Sequence, residues 1–102
     1  MSITLPLKKP IKAHGEEISE ITLRDPTTKD IIATGLPMLM IPSADGKSTG
    51  IEIRQPVIAR YVSLLAAIPM GSVESMTPGD FSACTGAVMG FFGEGDGETT
   101  GN

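Results

Sequence analysis

Residues 3–23 read ITLPLKKPIKAHGEEISEITL, and this stretch decides the fold class. Ile3, Leu5 and Leu7 alternate with Thr4 and Pro6, the period of two that gives a strand one apolar face. Pro6 and Pro10 have no N–H to donate to a ladder, so this strand reads as an edge. Ala13-His14-Gly15-Glu16 reads as the turn, with Gly15 able to take positive φ at no steric cost. Ile18 to Leu23 then returns as a second strand with Ile21 and Leu23 facing inward. Ile18 is out of phase by one residue, which predicts either a bulge near Ser19 or a strand that starts late. A lone two-stranded hairpin is marginal in water, so the rest of the chain must cover its apolar face.

The cover is helical. Asp25-Pro26-Thr27-Thr28-Lys29-Asp30 carries a Thr-x-x-Asp capping pattern that starts a short helix, and Gly35-Leu36-Pro37 stops it. Met38 to Ile41, the Asp45-Gly46 turn signal and the alternating Ile51-Glu52-Ile53 read as a second small hairpin. From Pro56 the period lengthens. Val57, Tyr61, Leu64, Leu65 and Ile68 form one stripe of a helix near 56–68, ended by Pro69 and Gly71. After a linker at Ser72-Val73, Thr77 reads as an N-cap with Pro78 at the first helical position and Asp80 reaching back. Phe81, Cys84, Val88 and Phe91-Phe92 then mark the last helix, near 78–92. The closing GEGDGETTGN holds no apolar residue and reads as disordered. The expectation is one α+β domain over 1–92 and a Gly-rich acidic tail over 93–102.

Composition narrows the function. The chain has 102 residues, of which 40% are hydrophobic, enough for one core and too few for two. The core is aliphatic, because Tyr61, Phe81, Phe91 and Phe92 are the only aromatic residues. A net charge of −4 argues against nucleic acid, whose phosphates require a basic surface. The tail carries Glu94, Asp96 and Glu98 and no base, so 8 bases face 9 acids in the body. A single cysteine, Cys84, and a single histidine, His14, exclude a disulfide scaffold and a structural zinc site. No apolar run reaches membrane-spanning length and MSITLPLKKP lacks a signal-peptide block, so a reducing cytoplasm is expected.

Enzyme chemistry finds little support. Asp45-Gly46-Lys47-Ser48 has Ile41 where a phosphate loop requires its first glycine, and strand alternation rather than a helix follows it. A Cys84–His14 dyad is conceivable in space, but Cys84 falls on an apolar helix face, where a thiol behaves as a small hydrophobe. Glu16-Glu17 reads as a solvated turn, and Asp25, Asp30 and Asp80 serve helix starts. No catalytic, cofactor or metal residue is expected.

Two features suit protein binding instead. Phe91 and Phe92 are adjacent, so they point about 100° apart on a helix and cannot share one narrow seam. Met38, Met40, Met70, Met76 and Met89 supply flexible thioethers that either fill the core or re-pack against partners. The candidate partner-binding residues are Phe81, Val88, Phe91 and Phe92.

The order of these motifs resembles a known family. Ile21-Thr22-Leu23-Arg24-Asp25-Pro26-Thr27 with Asp30, Gly35-Leu36-Pro37, Ala59-Arg60-Tyr61 through Ile68-Pro69, Thr77-Pro78-Gly79-Asp80-Phe81 and Val88-Met89-Gly90-Phe91-Phe92 are similar to the small tail assembly chaperones of Mu-like and related contractile-tailed phages and prophages. The resemblance spans residues 3–92 and is least in 38–50. It implies a non-enzymatic assembly factor in the cytoplasm of the bacterial host that binds the tape measure protein, helps recruit tail tube protein and is absent from the mature virion. It also implies a longer product made by frameshifting near the end of the gene. A homo-oligomer is compatible with it. The alternative class is a small structural virion component, a connector or tail completion protein.

Overall fold

The computed structural model describes residues 2–100, with side chains for all of these except 40, 49 and 94–100. The N-terminal hairpin pairs β1 (Ile3–Ala13) with β2 (Glu16–Leu23), antiparallel. Its two-residue turn is His14-Gly15 with φ of 55° and 79°, the paired positive angles whose twist matches that of the flanking strands. The bulge lies in the strand opposite the predicted one. Pro6 pairs with Glu20 and Ile11 with Ile18, so residues 7–10 of β1 bow out across from Ser19. This restores the phase of both strands, since Leu7, Ile11 and Ala13 are buried together with Ile21 and Leu23.

Thr27 caps α1 (Thr28–Thr34) with a full capping box, its side chain accepting from the Asp30 N–H while Asp30 accepts from the Thr27 N–H. Gly35, at φ 89°, closes the helix. The predicted second hairpin forms from β3 (Met38–Pro42) and β4 (Thr49–Ile53), antiparallel, with Gly46 at φ 72° in the turn. The Asp45-Gly46-Lys47-Ser48 segment is that loop: Asp45 Oδ1 accepts from the Lys47 N–H at 3.0 Å.

The C-terminal half holds α2 (Gln55–Ala66), α3 (Met70–Glu74) and α4 (Pro78–Thr100). Three sequence expectations need correction here. The inward stripe of α2 is Val57, Ile58, Tyr61, Val62 and Leu65, whereas Leu64 is 38% exposed on its flank. The helix also stops earlier, because Ala67 turns left-handed at φ 57°. Its N–H then donates to Leu64 O and that of Ile68 to Ser63 O, a closed end made without glycine. The Ser72-Val73 linker is itself the short helix α3, too brief for its periodicity to be read. The helical backbone of α4 runs past Phe92 to Thr100, into the Gly-rich stretch. Of the stretch read as a disordered tail, residues 101 and 102 lie outside the described residues.

One core holds these parts together. Tyr61, Ile58, Val62, Leu23, Cys84 and Val88 have no exposed surface, and they join the hairpin to α2 and α4. Polar staples fix the layers. Arg24 N–H donates to Leu65 O at 3.3 Å, Ser72 Oγ–H donates to Lys12 O at 2.5 Å, and His14 Nε2 lies 2.9 Å from Ala67 O. Among the described residues no buried polar side-chain atom lacks a hydrogen-bond partner.

Candidate functional site

Where α3 turns into α4, the chain leaves an apolar groove of about 330 Å³ against α2. Ala59 of α2, Val73 and Glu74 of α3, Met76, and Pro78 and Phe81 of α4 line it. Its position follows from local sequence. Pro69 is extended at φ −64° and ψ 152° ahead of α3, and Thr77 Oγ1 accepts the Asp80 N–H at 3.2 Å to start α4. The floor is held from below: Met76 and Val73 are buried, and the Cys84 thiol points at Met76 Sδ, 3.9 Å away. Phe81 is half-buried and presents its ring to the opening, with Glu74 as the charged residue at the rim.

Asp80, directly before Phe81, sets the angle of α4 against the hairpin. Rather than reaching back to its own helix start, its carboxylate accepts the Lys8 N–H at 3.0 Å to each oxygen and the Lys9 N–H at 3.2 Å. Those are amides of the β1 bulge, which the ladder cannot pair. The hydrogen bonds stabilise the ionised carboxylate, those from Lys8 first, and hold its pKa below the usual range. Asp30 is depressed as well, chiefly by the Arg24 guanidinium, which donates to its Oδ2 at 2.7 Å, and further by the Thr27 N–H. Both groups bind protons less readily when folded. Their contribution is therefore complete above the unfolded carboxylate pKa of about 3.9 and is lost as pH falls toward the folded values. The melting temperature is expected to fall steeply below about pH 4, and Asp30→Asn should flatten that slope in an acid titration followed by calorimetry.

The four expected binding residues separate in space. Phe81, Val88 and Phe92 follow one another at i, i+7 and i+11 on α4. Phe81 lines the groove, Val88 is fully buried, and Phe92 packs edge-on against Tyr61 with ring centroids 5.3 Å apart. Phe91 is half-buried against the core. The groove itself draws on α2 and α3, and the heptad reading of α4 alone could not reveal Ala59 or Val73 as its walls.

Chemistry is sparse elsewhere. Burial pushes the Cys84 thiol up to about 11, so it is protonated at neutral pH, while exposed His14 is engaged with Ala67 O. Among the described residues no group of three or more acids, cysteines or histidines could hold a metal ion. Within the same residues no helix is long and apolar enough to cross a membrane.

A family model for phage tail assembly chaperone proteins, E, or 41 or 14, matches residues 4–93. The chain belongs to this family. No curated protein and no solved structure matches it. The match runs from β1 to the turn of α4 that carries Phe91 and Phe92. Membership implies protein partners in tail assembly, and an apolar groove with one aromatic residue and one acid is a surface suited to another polypeptide.

Proposed function

We propose that this chaperone binds the tape measure protein during tail assembly, acts in the host cytoplasm without catalysis, helps bring tail tube protein to it, and leaves before the virion is complete. The observation that carries this reading is the groove between α2, α3 and α4, where half-buried Phe81 stands over a buried apolar floor. A long helical client offers rows of apolar side chains at i, i+3, i+4 and i+7, and an apolar groove suits such a row. Glu74 at the rim favours a basic residue beside the apolar row.

Co-expression with the tape measure protein of the same gene cluster, followed by pull-down and titration, tests the proposal. Phe81→Ala should weaken the complex by roughly 30-fold, the loss of a hot-spot anchor worth about 2 kcal/mol, while the fold survives because Phe81 is only partly buried. Normal binding by Phe81→Ala would place the client elsewhere. Finding the chain in purified particles would favour the structural virion component instead.

A further inference from the structure

The two hairpins treat their edges in opposite ways. The β1–β2 pair carries Pro6 and Pro10, Lys8, Lys9 and Lys12 on one strand, a bulge, and Glu16, Glu17 and Glu20 on the other. These are the devices that prevent a sheet edge from pairing with a stranger. The β3–β4 arm has almost none of them. No other element packs substantially against it, and it is apolar on both faces: Leu39 and Ile41 are 44% and 48% exposed on one, Ile51 and Ile53 are 61% and 42% exposed on the other. A strand apolar on both faces belongs inside a larger sheet.

The ladder shows which edge is open. Arg54 N–H donates to Pro37 O at 2.8 Å and Ser43 N–H to Ser48 O at 2.9 Å, so 37/54, 39/52, 41/50 and 43/48 are the bonded pairs. The amides of Thr49, Ile51 and Ile53 therefore point away from β3. On the opposite edge Met38, Met40 and Pro42 face out, and Pro42 has no N–H to give. The β4 edge is complete, and the β3 edge is blocked at one end.

We propose that β4 is the self-association edge of this protein, pairing antiparallel with β4 of a second copy about a two-fold axis at Ile51. The outward residues 49, 51 and 53 are symmetric about Ile51, so Ile51 meets Ile51 of the second copy, and Thr49 and Ile53 exchange bonds with each other's counterparts. All three outward amides and carbonyls of each strand are satisfied, and two marginal ribbons become one four-stranded sheet. Glu52 falls opposite Gly50 of the second copy, which has no side chain to obstruct it, and the two exposed Glu52 carboxylates lie diagonally across the axis where salt screens them. An edge joint of this length is smaller than a standard interface of about 1,200 Å² or more, so the dimer is reversible.

Light scattering and sedimentation over a concentration series should show the full chain rising from 10.7 kDa toward twice that mass. Ile51→Lys, a side chain that guards natural edges, should keep it at the single-chain mass with an unchanged circular dichroism spectrum. The register has its own test. An oxidised equimolar mixture of Gly50→Cys and Glu52→Cys should cross-link, and neither variant should do so alone, because residue 50 faces residue 52 of the second copy and neither faces its own counterpart. A wild-type chain that stays at the single-chain mass overturns the proposal. So does a dimer indifferent to Ile51→Lys, or a mixture that fails to cross-link.

Discussion

Asp80→Ala should lower the melting temperature by on the order of 10 °C, because removing one carboxylate leaves two part-buried amides without their partner, and an unpaired donor costs more than the bond itself contributes. The Lys8 and Lys9 N–H groups sit in a bulge whose opposite strand cannot reach them, and Asp80 is 4% exposed, so water is a poor substitute. Asp80→Asn retains one acceptor oxygen and should recover part of the loss. Thermal scans of the three proteins at neutral pH decide the matter. A change of only about 2 °C in Asp80→Ala would mean that solvent satisfies the bulge without help.

Tyr61→Ala should destabilise by about 3–5 kcal/mol, the cost of truncating a fully buried aromatic residue. Tyr61 has no exposed surface, donates its hydroxyl to Gly35 O at 2.5 Å, and takes the edge of Phe92 on its ring. One side chain thereby ties the end of α1 and the far part of α4 to α2. Tyr61→Phe removes only the hydroxyl and should cost about 1 kcal/mol, since exposed Gly35 can turn its carbonyl to water. Urea titrations separate the two effects. If both variants lose equally, the hydroxyl rather than the ring holds the elements together.

What could be read from the chain was what is local. The Thr27–Asp30 capping box, the His14-Gly15 turn and the Asp45-Gly46 loop each depend on residues two to four apart, and each forms as expected. The bulge was legible as a phase error but not as to which strand carried it, because either strand of a pair can absorb the mismatch. Asp80 carries the same Thr-x-x-Asp signature as Asp30, yet its carboxylate leaves the helix for β1, a choice made by packing. Ile58 and Val62 rather than Leu64 face inward because α2 packs against the hairpin, α3 and α4 as well as α1, and needs a wider apolar face than one stripe. The groove was illegible for a related reason: three helices contribute to it, and one of them has only five residues.

The bond between Lys8 and Asp80 joins residues 72 positions apart. Translation runs from the N-terminal to the C-terminal side, so β1 and its hairpin emerge well before the carboxylate that completes them. Until residue 80 emerges, the bulge amides face water and the apolar side of the hairpin lacks the cover of α4. The domain closes only when the start of the last helix arrives and returns to the first strand. An N-terminal fragment ending before residue 80 thus lacks the part that makes the fold whole, and the groove beside Phe81 comes into being at that same moment.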